Sequence, residues 1–315
     1  MEQPELQPQR SFVERYNIAF AIAVATSIIF VGWIAAQGGF QRLPSPDNSS
    51  KSSASASGSA LEEAVFPQGG ISTAAAWGDV IPELVERGVI DRQEFVSLFE
   101  RGQTPLQTAE LAILDQAQTD QKIVFTSENS RFTVNVLWAL GLAQQSDVLD
   151  KGPMKTSGTP ENFASTGGWT LGKQDAMAYY SKWNLLNLTA ADQQRITKIT
   201  EGIYRPCCGN STAFPDCNHG MAMLGLVELM VSQGATDEEI FEAALAANTY
   251  WFPDTTFEAA TYFAELKNTS WDKVDPRVVV GKEYSSAQGA QQVNQALRQA
   301  GLLPEAPEGG GSCGA

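Results

Sequence analysis

The sequence predicts an all-α fold class: a single-span N-terminal membrane helix, a flexible linker and one helical soluble domain of about eight to ten helices. Three observations predict this organisation. Residues 16–41 form a long apolar run without charge, and residues 42–65 are rich in Ser, Ala and Gly. From residue 66 onward, apolar residues recur at helical spacing, and alternating β-branched runs are nearly absent.

The N-terminal apolar run predicts a membrane anchor that follows a short tail, residues 1–15. Arg15 and Arg42 bracket the run, and Tyr16 and Trp33 lie where aromatic rings favour the membrane interface. A transmembrane helix needs about 20 apolar residues, whereas the apolar region of a cleaved signal peptide is about 7–15 residues long. We therefore expect an uncleaved span rather than a signal peptide or a buried core helix.

The predicted location follows from this anchor. A short tail before a single span is easily kept in the cytoplasm, so we expect the larger part of the chain to be extracytoplasmic at the cell membrane. The segment 42–65 then holds the domain away from the bilayer. Its Ser/Ala/Gly-rich composition cannot bury enough apolar surface to fold, which is typical of a linker.

The soluble domain is predicted over residues 66–304, and residues 305–315 form a glycine-rich tail. Thr189 and the acidic run after Thr236 are good helix starts. The segment 218–232 is apolar on nearly all faces, which predicts a central buried helix. The predicted helices lie at 80–88, from 90, 106–116, 127–149, 176–183, 190–204, 218–232, from 236, 254–266 and 287–300.

Composition excludes some classes of function. The 315 residues contain 36 acidic and 21 basic side chains, for a net charge of −15. Binding to nucleic acid requires clustered Lys and Arg against the phosphates, so we expect no nucleic-acid partner. The expected partners are the membrane, through one helix, and a metal-exchange or thiol-exchange partner.

The strongest chemical signal is a cluster of cysteines beside the only histidine of the chain. Cys207, Cys208 and Cys217 lie in the loop between a helix that ends near Tyr204 and the predicted buried helix, and His219 lies in the first turn of that helix. A tetrahedral metal site takes about four nitrogen or sulfur ligands, and these four side chains would supply them. Soft thiolate ligands select Cu(I) or Zn(II), so the principal hypothesis is a Cu or Zn site.

The spacing of this cluster is not that of a zinc finger, and the side chains of neighbouring cysteines diverge. Met223 lies four residues after His219 and shares its helical face, so it is a possible auxiliary ligand. On an apolar helix, however, methionine is more often a core residue.

Thiol chemistry without a metal is the second hypothesis. Cys217 lies at a predicted helix start, where the pKa of a thiol is lowered. Cys313 follows three glycines near the chain end, which would make it a mobile thiol able to reach the cluster. Cys217 and Cys313 are therefore the candidate catalytic residues of a thiol-disulfide oxidoreductase or thiol-transfer enzyme. The Cys207/Cys208 pair is the alternative to Cys217 as the reactive thiol, with Cys313 as the mobile shuttle. A third hypothesis is a helical interaction module stabilised by disulfides.

One further residue is chemically unusual. Glu228 is the only Asp, Glu, Lys or Arg within the apolar helix predicted at 218–232. A carboxyl group there could act as a general base or support the ligands of a metal. A position at a notch in the surface, or a contact with a helix cap elsewhere, is an equally good interpretation.

Overall fold

The structure, a computed structural model, describes residues 58–304. Residues 58–65 are helical. Fourteen α-helices and two strands follow in the described part of the chain. In chain order they are β1 (Ile71–Gly78), α1 (Val80–Glu86), α2 (Arg92–Arg101), α3 (Thr108–Asp115), β2 (Gln118–Phe125), α4 (Ser130–Ala143), α5 (Asp147–Lys151), α6 (Pro153–Ser157), α7 (Ala164–Gly167), α8 (Ala190–Glu201), α9 (Asn218–Ser232), α10 (Asp237–Trp251), α11 (Pro253–Leu266), α12 (Pro276–Val279), α13 (Lys282–Ser285) and α14 (Ala287–Gln299).

Several helix starts follow directly from local hydrogen bonding. The Thr189 hydroxyl accepts from the Asp192 amide, and the Asp192 carboxylate accepts from the Thr189 amide. Thr236 and Glu239 form the same reciprocal pair at the start of α10. Each pair satisfies amides that have no partner within the helix, which fixes where the helix begins.

The two strands correct the all-α prediction. β1 and β2 pair antiparallel, with Ile71 opposite Phe125 and Gly78 opposite Gln118, and the register shifts within the pair. The alanine-rich β1 lacks the β-branched alternation that identifies strands, so the sequence does not predict it. Gln233, at the end of α9, donates to and accepts from the backbone of Ala76, which holds β1 against the helices.

The predicted number of helices is also wrong. Five of the α-helices have only four or five residues, too short to show a 3.6-residue apolar period. The helix predicted at 176–183 is a single 3₁₀ turn at Ala176–Ala178. Ser181 adopts a left-handed conformation with φ of 49°, which an α-helix cannot include.

The predicted membrane helix receives no support from the described structure. Within residues 58–304, no helix combines the length and apolarity that crossing a bilayer requires. The predicted tail 1–15, the span 16–41 and the linker up to residue 57 lie outside the described residues. Residues 58–65, predicted as the end of the linker, instead form a helix in which Val65 is fully buried.

The core is built around the crossing of α4 and α9, as the apolar sequence of α9 predicted. Residues from Gly220 to Val231 are all buried. Two glycines face each other at the crossing: a Cβ on Gly225 would lie 2.7 Å from the Gly141 amide nitrogen and would also collide with the Leu137 carbonyl. The backbones therefore approach more closely than any side chain allows, and this contact positions the N-terminus of α9.

Glu228 is an exception within this apolar core. Its side chain is fully buried, and neither carboxyl oxygen has a hydrogen-bond partner. The nearby Ser146 hydroxyl is also buried and unpaired. Burial raises the pKa of Glu228 well above its ordinary value, against a smaller lowering by Ser146. Burial therefore favours the neutral form of this carboxyl group.

The close approach at the α4–α9 crossing predicts that Gly225→Ala destabilises the fold. Overpacking of this kind costs about 1–3 kcal/mol. Each kcal/mol lowers the Tm of a domain of this size by about 2–4 °C, which thermal unfolding measures. Gly69→Ala is the matched control, because its Cβ would meet nothing within 4 Å. Equal Tm values for the two variants would contradict this packing.

Glu228 predicts a pH-dependent stability. Between about pH 4.3 and the raised pKa, the unfolded state loses the proton that the folded state keeps, so Glu228 makes stability fall as pH rises. Glu228→Gln removes this pH dependence of stability. The Tm of the variant relative to that of the native chain should therefore rise between about pH 5 and about pH 8. The exposed Glu100→Gln is the control. A difference that stays constant with pH would contradict a buried neutral carboxyl.

Candidate thiol and metal centre

The cysteine cluster lies in the loop between α8 and α9. The loop doubles back on itself through a bridge between Tyr204 and Ser211, and the Thr212 amide donates to the Ile203 carbonyl. The Tyr204 amide donates to the Val280 carbonyl, which ties the loop to a distant part of the chain. The loop therefore returns to its starting point before α9 begins.

A buried arginine organises the loop. The side chain of Arg205 is only 1% exposed, and its guanidinium donates from three nitrogens. Nε donates to the Cys217 sulfur over 3.2 Å, and Nη1 donates to the Asn210 carbonyl over 3.0 Å. Nη2 donates to the Phe214 carbonyl and, over 2.6 Å, to Asp216 Oδ1. One side chain thus joins positions along the whole loop.

Asp216 completes this network. Its second oxygen accepts from the Asn210 side-chain amide over 2.8 Å, and the Cys208 thiol lies 3.7 Å from its first oxygen. A buried ion pair stabilises a structure only when its remaining donors and acceptors are also satisfied. The Arg205–Asp216 pair meets this condition through the loop carbonyls and Asn210.

The start of α9 brings Cys217 to the arginine. Cys217 is the N-cap residue, and its sulfur accepts from the Gly220 amide over 3.3 Å. A Cβ on Gly220 would lie 2.5 Å from the guanidinium carbon of Arg205. Glycine at this position is what allows the arginine to lie against the first turn of the helix.

The structure brings three of the predicted ligands together. The sulfur atoms of Cys207, Cys208 and Cys217 all lie within 4.8 Å of one another, and those of Cys207 and Cys217 are 3.5 Å apart. Zinc–sulfur bonds of about 2.3 Å in a tetrahedron place two sulfurs about 3.8 Å apart. We call these residues the cysteine trio; they are free thiols, spaced as metal ligands are.

Charge within the trio is concentrated on Cys217. Hydrogen bonds from the Cys207 and Cys208 thiols lower the pKa of Cys217, and the charge of Arg205 lowers it further, against the effect of burial. The same hydrogen bonds to Cys208 and Cys217, together with burial, raise the pKa of Cys207. The trio without metal therefore carries its first negative charge on Cys217.

The sulfur atoms of the trio also shift the pKa of Arg205. Burial lowers the pKa of Arg205, but its interactions with the sulfur atoms of the trio, that of Cys217 first, outweigh burial and raise it. Arg205 therefore remains a cation beneath the trio. This cation also reduces the repulsion that three thiolates would experience around one ion.

His219 is not a member of the trio. Its ring packs against Phe252, with centroids 4.6 Å apart, and against Trp251 at 5.9 Å. Burial lowers the pKa of His219, Arg205 lowers it further, and Cys217 opposes both, so the imidazole is neutral at pH 7. These aromatic contacts hold the ring on another face of the first helical turn.

The other predicted site residues lie apart from the trio or outside the described chain. Met223 is fully buried in the core. Cys313 belongs to the tail 305–315, which is outside the described residues, so its role remains a prediction. The sequence reasoning overlooked Arg205 and Asp216. They are the only Asp, Glu, Lys or Arg residues between 202 and 220. One acidic and one basic residue alone in a cysteine-rich loop could have indicated an ion pair at the site.

Comparison with known proteins gives no match to a family model, a curated protein or a solved structure. The chemistry of the site therefore rests on its own geometry.

The charge distribution in the trio predicts which thiol reacts first. The thiolate is the nucleophile, so in reduced, metal-free protein at about pH 6 iodoacetamide should modify Cys217 fastest, although Cys207 is more exposed. Peptide mapping by mass spectrometry after short exposure identifies the site. Cys217→Ser should remove the fast reaction. Faster modification of Cys207 than of Cys217 would show that the charge lies elsewhere.

Proposed function

We propose that the protein binds one soft or borderline metal ion, Zn(II) or Cu(I), through the thiolates of Cys207, Cys208 and Cys217. The observation that carries this proposal is the convergence of three sulfur atoms within 4.8 Å. Thiolate sulfur favours these two ions over hard cations. The side chains lie on a loop and a helix start that other interactions already position.

The cation beneath the trio supports the same conclusion. Three thiolates exceed the charge of Zn(II) by one and that of Cu(I) by two, so a bound complex would be anionic. Arg205 donates to Cys217 over 3.2 Å, which offsets part of this charge. Groups that hydrogen-bond to a ligand also orient it, and their loss lowers metal affinity by about 10–100-fold.

The number of ligands indicates what kind of site this is. Structural zinc sites are closed by four protein ligands, whereas sites with three keep a position open for water or a substrate. Cys207 is exposed, so the site can be reached from solvent. We therefore propose a site that exchanges its ion, or presents it to a small ligand, rather than one that only stabilises the fold.

Thiol transfer by Cys217 is a second candidate, favoured by its lowered pKa and by the 3.5 Å separation from Cys207. The Cys217 thiolate would attack a substrate disulfide, releasing one substrate thiol and forming a mixed disulfide. The Cys207 thiol would then attack Cys217, its proton passing to the departing substrate thiolate, and leave a Cys207–Cys217 disulfide. The thiols of the trio are free, so a disulfide-held module has no support from the described cysteines.

Metal content tests the proposed function. The full chain, purified under reducing conditions without added histidines, should contain about one equivalent of zinc or copper by elemental analysis. Cys207→Ser, Cys208→Ser and Cys217→Ser should each reduce this content strongly.

His219→Gln is the matched control and should keep the ion, because its ring packs on Phe252 instead of facing the trio. Metal retained after Cys217→Ser would contradict the proposal. A metal-free protein with reactive thiols, unable to take up either added ion, would favour thiol transfer.

A further inference from the structure

The cysteine trio offers three ligands and no fourth. Among the His, Cys, Asp and Glu side chains of the described chain, it is the one group of three or more whose ligand atoms converge within 4.8 Å. The His219 ring packs against Phe252 instead. The Asp216 carboxylate accepts from Arg205 and Asn210. A ligand that bonds to three sulfurs and needs no other donor therefore fits this site.

Trivalent arsenic has this coordination. It forms three bonds to sulfur in a pyramid, and a lone pair occupies the fourth side. Its bonds are similar in length to those of zinc but its S–As–S angles are narrower than tetrahedral, so its sulfurs lie closer together. Tetrahedral zinc places two sulfurs about 3.8 Å apart, whereas the sulfurs of Cys207 and Cys217 are 3.5 Å apart. This separation favours the narrower pyramid.

Two of the three cysteines are held in place by the fold. The Cys217 sulfur accepts from the Arg205 side chain over 3.2 Å and from the Gly220 amide over 3.3 Å. The Cys208 carbonyl accepts from the Ala287 amide over 2.9 Å, which ties this cysteine to the start of α14. Because these residues are already positioned, a ligand that bonds to all three sulfurs orders few additional groups.

The charges of the site tolerate a neutral adduct. Three thiolates balance the charge of trivalent arsenic, so the adduct carries no net charge. Arg205 keeps its counter-charge in this state, because its Nη2 lies 2.6 Å from Asp216 Oδ1. The buried guanidinium is therefore not left as an unpaired charge when the thiolates are neutralised.

Arsenous acid, the hydrated form of trivalent arsenic, can reach the trio. It is uncharged at neutral pH, so the net charge of −15 does not repel it as it would repel an anion. Cys207 is exposed, and Cys208 and Cys217 are partly exposed. A small neutral molecule can therefore approach from the side of Cys207.

We propose that the reduced cysteine trio binds trivalent arsenic, taken up as arsenous acid. Each thiol loses its proton and displaces one hydroxyl group from arsenic, so three As–S bonds form and three water molecules leave. Where Cys217 is already a thiolate, the hydroxide that it displaces takes its proton from solvent. Arsenic stays trivalent, so no oxidant or reductant is needed. This binding rests on the proposed function in that it uses the same three thiols.

The number of thiols that one arsenic consumes tests this proposal. The full-length chain carrying Cys313→Ser, reduced and free of metal, has only the trio thiols. Arsenous acid should form a one-to-one adduct even in about 1 mM glutathione, because separate thiols compete poorly with linked ones. Native mass spectrometry should show one arsenic gained and three hydrogens lost. Phenylarsine oxide, whose arsenic already bears a carbon, should consume two thiols and leave one.

Cys207→Ser is the informative variant, because this side chain is exposed and makes no contact with Arg205 that the fold requires. It should bind arsenous acid at least about tenfold more weakly, since one of three As–S bonds is lost, and should still bind phenylarsine oxide. His219→Gln is the matched control and should keep the native affinity for arsenous acid, because its ring packs on Phe252.

A parallel titration with zinc separates this proposal from the proposed function. Zinc binding without a three-thiol arsenic adduct would overturn the arsenic site and leave the metal site standing. A three-thiol adduct in a chain that takes up neither zinc nor copper would support the arsenic site and contradict the metal site. An adduct that consumes only two thiols, or undiminished affinity in Cys207→Ser, would overturn the arsenic site.

Discussion

The candidate site depends on one buried interaction, the hydrogen bonds of Arg205 to Cys217 and Asp216. A guanidinium that is 1% exposed cannot lose its partners without leaving a charge in the interior. Because its partners span positions 210 to 217, the loop closes and the trio forms as one unit. Hydrogen bonds from the Cys207 and Cys208 thiols lower the pKa of Cys217 most, and the charge of the same arginine lowers it further.

The crossing of α4 and α9 in the core determines the position of the Arg205 network and the cysteine trio. α9 lies against α4 at a contact between Gly141 and Gly225, and the N-terminus of α9 emerges from the core beside the start of α4. Cys217 caps that terminus on the side of Arg205, whereas His219 lies on the side of a cleft bounded by α4, α9 and α10. The first turn of α9 therefore presents Cys217 to the cysteine trio and His219 to a neighbouring cleft.

Much of this arrangement could be predicted from the sequence. The capping residues Thr189 and Thr236, the buried α9 and the convergence of the three cysteines follow from local rules. The alanine-rich β1 could not be recognised, because its pairing depends on Gln118–Phe125 and Gln233 rather than on its own composition. The ligand role predicted for His219 relied on nearness in sequence, which does not reveal that Phe252 holds the ring. The predicted membrane span lies outside the residues that the structure describes.

The central claim is that one ion is held by three thiolates, and X-ray absorption measures this directly. The full-length protein loaded with one equivalent of zinc should show three sulfur neighbours at about 2.3 Å, with one lighter atom completing the shell. A shell with only nitrogen and oxygen neighbours, or with fewer than three sulfurs, would contradict the account.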